Sequence, residues 1–318
     1  MRGLRRGAEP QNRESDDHLT ALFPEAKMMK PSARANVLNA ISVDVEGFIE
    51  SNLQSFPTAK HYVDKANEDR EIEANMDAVL HILNEFDIRA TFFFLGRIAR
   101  DLPHLIKEVA QRGHEIACHS HDHIRIYSMT REEFRQKVNS AKKHLEDVAG
   151  KPVYGFRAPD FSITTASLWA LDILMESGFH YDSSIYPIGI HDVYGIEGTK
   201  PYIHALPNGL IEFPPSTVSC FGKRVPVGGG GYFRLYPTFV TKLCISQMNQ
   251  LGQPCMFYIH PYEVGPIIPR VGGLSSYRKF RHYHNCGNGS QRLKKILRAF
   301  RFGPAFDVLQ HANSGRGV

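Results

Sequence analysis

The chain has 318 residues, with 38 Lys plus Arg against 33 Asp plus Glu, a formal charge of +5. Its 42% hydrophobic and 22% charged residues are a globular composition, which excludes disordered, collagen-like and disulfide-scaffold chains. No run reaches the ~18 apolar residues of a membrane-spanning helix, and the small positive balance gives no reason to expect a nucleic-acid partner.

Arg2, Arg5 and Arg6 open the chain like a signal n-region, but Glu9, Gln11, Asn12 and Arg13 follow where an apolar stretch would be needed. Residues 1–35 therefore read as a disordered leader, with Met28 and Met29 as alternative starts, and the location as cytoplasmic. Five scattered cysteines, odd in number and without a CxxC, fit reduced thiols.

From residue 37 short apolar runs alternate with helical patterns. Val37–Val43 reads as a buried strand, and Ile72, Met76, Val79, Leu80, Leu83 and Phe86 share one helical face. The Phe92–Phe94 strand follows, then a helix opened by Pro103 and closed by Gly113. Glu115–Cys118 is a short strand, and Thr130 with Glu133 forms a capping box ahead of Phe134, Val138, Ala141 and Leu145. Tyr154–Arg157 is the next strand, and a helix is expected from about 165 to 177. Residues 195–240 read as hairpins and loops, with Gly228–Gly231 as a flexible turn. Phe257–Ile259 is the last strand, ending at His260, and an Arg- and Lys-rich tail closes with an amphipathic helix. Such βα alternation implies a parallel sheet, and the pattern-poor second half favours a barrel, whether complete or incomplete, over an open sheet.

Chemistry-bearing side chains recur where these strands end: Asp44 and Glu46, then His119–His123, then Arg157, then His260. That edge of a parallel α/β fold is where loops converge on a site. Strand alternation puts Asp44 and Glu46 on one face, a costly pair to bury unless a cation or proton compensates. Three imidazoles within His119-Ser120-His121-Asp122-His123 suit a borderline metal. Spacing alone does not choose the ligands: a helical turn pairs 119 with 123, whereas an extended segment aligns 119, 121 and 123. His114-Glu115 with His119 imitates a zinc-protease HExxH, but its histidines are five apart, roughly 140° off a common helical face. Arg157 at a strand end is placed to fork a carboxylate.

Together, these motifs resemble the NodB-homology polysaccharide deacetylases, a carbohydrate esterase family, over roughly residues 37–265. The resemblance implies a distorted (β/α)7 TIM-like barrel with hairpin and loop insertions and a C-terminal basic helical extension. It divides the chain into a leader (1–35), the deacetylase barrel (36–265), an extension packing on the barrel (266–304) and a flexible tail (305–318). It further implies Asp44 as catalytic base, His260 as general acid and Arg157 as the residue orienting the base. Glu46, His119 and His123 become ligands of a divalent metal, Zn2+ first and Co2+, Ni2+ or Mn2+ as alternatives, with His121 left outside. Glu46, where the family usually carries Asp, departs from its pattern.

Asp160, Phe161 and Tyr232, and also Phe48, fall near the rim as candidate sugar contacts. The implied reaction is hydrolysis of N-acetyl groups on amino sugars of a polysaccharide or its precursor. Asp182-Ser183-Ser184, Gly230-Gly231-Tyr232 and the Pro269–Leu274 and Phe300–Pro304 stretches resemble the subgroup found with exopolysaccharide gene clusters. Rival readings are an amidohydrolase of a small cyclic imide or ureide, a noncatalytic sugar-binding protein, and a membrane-peripheral protein acting through the apolar stripe of Leu293, Ile296, Leu297 and Phe300 with its flanking bases.

Overall fold

The computed structural model describes residues 37–55, 57–189 and 193–314. The expected leader, residues 1–35, lies outside them.

The first strand, β1 (Leu38–Val45), is followed by the short α1 (Phe48–Asn52) and the long α2 (Lys65–Glu85). Next come β2 (Thr91–Phe94), α3 (Gly96–Asp101), α4 (Pro103–Gln111), β3 (Glu115–Cys118), α5 (Arg131–Ala149), β4 (Gly155–Phe156), α6 (Ala170–Glu176) and β5 (Tyr181–Asp182). The second half holds β6 (His204–Ala205), β7 (Ile211–Glu212), the hairpin β8 (Thr217–Cys220) and β9 (Lys223–Pro226), α7 (Gly230–Leu235), α8 (Thr238–Gln250) and β10 (Met256–Ile259). The chain closes with α9 (Pro261–Val264), α10 (Ser276–Tyr283), α11 (Gly289–Leu297), β11 (Arg301–Gly303) and α12 (Ala305–Ser314).

One curled sheet runs in the order β10-β1-β2-β3-β4-β5-β7-β6, parallel except at the antiparallel β6–β7 edge, with β11 added beside β1. Among the described residues no ladder joins β6 to β10, so this is an α/β half-barrel. Period-two alternation sorts the strands into two faces. Ile41, Val43 and Val45 of β1, with Phe92 and Phe94 of β2, join the core beneath the helices. Ala40, Phe93, Ala117, Tyr181 and Met256 fill the concave interior. The concave set continues past the strand ends: 40, 42 and 44 lead to Glu46; 115 and 117 lead to His119; 256 and 258 lead to His260. The site residues are thus the next inward positions on these strands, past an interior lined by Ala40, Ala117 and Met256.

Local signals hold at several elements. Thr130 accepts from the Glu133 amide at 3.2 Å while Glu133 accepts from the Thr130 amide at 2.8 Å, starting α5. Pro103 opens α4. The helix expected over 165–177 is regular only from Ala170, because the Ser167 hydroxyl takes the Thr164 amide at 3.0 Å and holds a turn there.

Gly228–Gly231 is no flexible turn. Tyr258 donates its amide to the Gly228 carbonyl at 2.6 Å, and Gly229 bridges alongside Tyr258 with φ 130°. A Cβ at Gly229 would overlap the Tyr258 carbonyl, so the segment docks on β10 only as glycine.

The expectation of a flexible tail from 305 is also corrected. β11 pairs with the start of β1, and α12 plugs the bottom of the barrel with Ala305, Val308 and Leu309 buried against its interior. The amides of Ala305 and Phe306 donate to Thr91 and Glu115 at 2.7 and 3.1 Å, an acidic partner at a helix start. Residues 315–318 lie outside those described.

In α11, Leu293, Ile296 and Leu297 are buried in the main core. The apolar stripe therefore faces the protein, and its bases Lys294 and Arg298 pair with Glu85. Among the described residues no helix is long and apolar enough to cross a membrane.

Candidate active site

Glu46 is the centre of the rim. It follows β1 and is 3% exposed, and its Oε2 lies 3.1 Å from His119 Nε2 and 2.9 Å from His123 Nε2. The ligand atoms of these three buried residues all fall within 4.8 Å of one another. What spacing left open is decided by the backbone. Ser120 takes φ 68°, and the amides of Gly96 and Arg97 at the start of α3 hold the carbonyls of Ser120 and His121 at 2.8 and 3.0 Å. This kink is neither helix nor strand. It brings 119 and 123 to one point and sends His121 outward to Asp122, 3.1 Å away.

His119 Nδ1 lies 2.8 Å from the Arg157 carbonyl oxygen. A carbonyl only accepts, so the neutral ring carries its proton there and leaves the Nε2 lone pair facing Glu46. Two imidazoles and a carboxylate, buried and with one tautomer fixed from behind, are a donor set that fits a divalent cation of the Zn2+ type. Without a cation the carboxylate carries the imidazoles. Burial opposes charge on Glu46, yet His123 holds it well below the usual carboxylate range. Burial likewise disfavours the charged ring of His123, but Glu46 lifts it to about 10. Metal binding on the same atoms displaces protons.

Asp44, two residues before Glu46 and also buried, has a different partner. Its Oδ1 accepts from Arg157 Nη1 at 2.6 Å, and that nitrogen also donates to Ser42 Oγ at 2.8 Å. Arg157 is fully buried, with Ser183 accepting from its remaining donors through Oγ at 2.9 Å and through its carbonyl at 3.3 Å. The Phe93 ring lies 4.2 Å beneath the guanidinium. A buried charge held by this many acceptors is locked in orientation.

His260 completes the rim at the end of β10, its Nε2 3.4 Å from Glu46 Oε1. Behind it stands Glu263, fully buried, whose Oε2 is 3.3 Å from His260 Nδ1 and accepts the His260 amide at 2.9 Å. Arg234 donates to the other Glu263 oxygen at 2.7 Å. Burial would neutralise both partners, but Glu263 raises His260 to about 9, and His260 with Arg234 brings Glu263 to about 2. Glu263 and Arg234 were missed in the sequence. The signal was there for Glu263: in His260-Pro261-Tyr262-Glu263 an acid three residues past a strand end, behind a proline, is a helix start whose acid turns back to the first residue.

The rim opens into a groove of about 760 Å3. Asp160 and Tyr232 line it, and Asp160 is held by Arg125 at 2.7 Å. Phe161 does not line it: the ring is 7% exposed and packs edge-on to Tyr186 and Tyr258. A left-handed backbone at both Asp160 and Phe161 turns the first toward the groove and the second into the core. Phe48 is likewise buried, between Tyr262 and Tyr283.

Comparison with known proteins agrees with this architecture. Residues 63–175 match the polysaccharide deacetylase family, and residues 183–310 match a domain of unknown function, DUF3473. The deacetylase match spans about a third of the chain and shows that segment to be similar to the family. It is 39% identical over 83 residues to a chitooligosaccharide deacetylase of Azorhizobium caulinodans, covering 26% of this chain and 40% of that protein. It is 25% identical over 159 residues to a peptidoglycan deacetylase of Helicobacter pylori, covering 45% of this chain and 53% of that one. The chain thus matches about half or less of the length of these relatives. Among solved structures, an allantoinase shares the fold with a TM-score of 0.59 at 15% identity, over 93% of this chain and 97% of that one.

Proposed function

We propose that the chain hydrolyses N-acetyl groups from amino sugars of an oligo- or polysaccharide, with a divalent metal held by Glu46, His119 and His123. The observation that carries this reading is the convergence, on one rim, of that donor set with an Arg-held carboxylate and a carboxylate-backed imidazole. When bound, the cation supplies Lewis-acid activation of water and of the amide carbonyl; Zn2+ suits the donors best, with Co2+, Ni2+ and Mn2+ as alternatives.

Arg157 occupies Oδ1 of Asp44, leaving Oδ2 to accept the proton that the attacking water gives up. His260, kept protonated by Glu263, donates to the amine nitrogen as the C–N bond breaks. The products are acetate and a free amino sugar. The chemistry named for the matched relatives, deacetylation of chitooligosaccharide and of peptidoglycan, supports this substrate class. The groove is larger than a small cyclic ureide needs, and a protein that only bound sugar would need neither Asp44 nor His260 in these settings.

The test is acetate release from N-acetylglucosamine oligomers before and after chelation. Turnover lost to chelator and regained with Zn2+ is expected; no acetate from any N-acetylated oligomer refutes the proposal.

A further inference from the structure

α10 lies outside the deacetylase match and inside the stretch of unknown function. Ser275 caps it, accepting the Arg278 amide at 3.3 Å, yet none of its residues is buried. Tyr277 is 70% and Phe280 55% exposed. Three positions apart, they are neighbours on the helix surface, and both line the groove that contains Glu46 and His260. Aromatic surface left in water forgoes the gain of burial, so two such rings beside a catalytic rim call for an occupant.

The helix is also pinned to the chemistry. Arg234 donates from Nη1 to the Arg281 carbonyl at 3.0 Å, while its Nε holds Glu263, the carboxylate behind His260. Asn285, just past the helix, donates to the Arg234 carbonyl at 2.9 Å. One guanidinium thus fixes both the wall of the groove and the partner of the imidazole.

We propose that α10 is the outer wall of an extended carbohydrate site, where Tyr277 and Phe280 stack on the sugar rings flanking the one deacetylated, so that the chain selects oligomers over short sugars. This rests on the deacetylase reading and specifies its substrate. A pyranose presents apolar C–H faces and a hydroxyl edge, and the groove sets the two rings among Ser51, Asn52, Ser55 and Asp160, which can meet that edge. Its volume lies toward the upper end of small-molecule sites, roughly 300 to 1,000 Å3, leaving space for more than one ring.

The experiment compares wild type with the double variant Tyr277→Ala, Phe280→Ala. The ratio of kcat/KM for the N-acetylglucosamine hexamer to that for the dimer is one readout, and hexamer affinity by calorimetry is the other. Phe221→Ala removes an aromatic ring that is 71% exposed on the β8–β9 hairpin and serves as control. The proposal expects the ratio and the affinity to fall roughly tenfold in the double variant and to hold in the control. An unchanged ratio and affinity would overturn it. If wild type releases no acetate at all, the deacetylase reading fails, and hexamer binding alone judges the platform. Binding lost in the double variant then supports it; binding unchanged there, or absent in wild type, overturns it.

Discussion

Asp44 and Glu46 sit two residues apart on one face, and their partners set them apart: a guanidinium holds the first, imidazoles surround the second. Asp44→Asn should keep the metal and lower acetate release by roughly 10²- to 10⁴-fold, the range for losing a general base. Metal content and turnover measured on one preparation check it, and undiminished turnover refutes the base assignment. His114 gives a pH prediction remote from the rim. Burial, with Arg112 and Arg89 nearby, lowers it to about 4, and its Nδ1 accepts the Ala90 amide at 3.1 Å. The unfolded ring binds a proton below ~6.5 and the folded one only below about 4, so stability falls as pH drops through that window, by about 3 kcal/mol in all. His114→Gln, which retains an acceptor, should show a smaller loss of Tm between pH 7 and 5 than wild type.

At the scale of elements, the parts that carried a strong local code were legible and those set by distant partners were not. Thr130 and Glu133 announce α5, and Thr130→Ala should cost about 1 kcal/mol, visible as a Tm lowered by about 2 °C. The strand ends could be read because short, mostly apolar runs lead straight into Asp44, His119 and His260. The kink at Ser120 could not, since amides of α3 impose it. Phe161 looked like a rim aromatic from its position, but two consecutive left-handed residues, invisible in composition, turn it inward. A glycine run reads as flexibility until β10 is seen to need backbone contact there. Gly229→Ala should lower Tm by several times the Thr130→Ala effect, because its Cβ meets a backbone carbonyl rather than a movable side chain.

Across the whole molecule, the division into a deacetylase segment and a segment of unknown function does not divide the site. Residues 63–175 carry His119, His123 and Arg157, while residues 183–310 carry Ser183, Arg234, His260 and Glu263. The end of the chain is structural as well: deleting residues 305–318 uncovers the barrel floor and leaves Glu115 without the Phe306 amide, so thermal unfolding should shift far below wild type. A Tm unchanged by that deletion would contradict the role given to α12. The central claim is that two imidazoles and one carboxylate hold a metal ion required for amide hydrolysis. The most direct test is elemental analysis of dialysed protein beside the His119→Ala, His123→Ala double variant, with acetate release read on both. One divalent ion per wild-type chain, with ion and turnover lost together in the variant, is the predicted result; full turnover by a metal-free double variant would contradict the account.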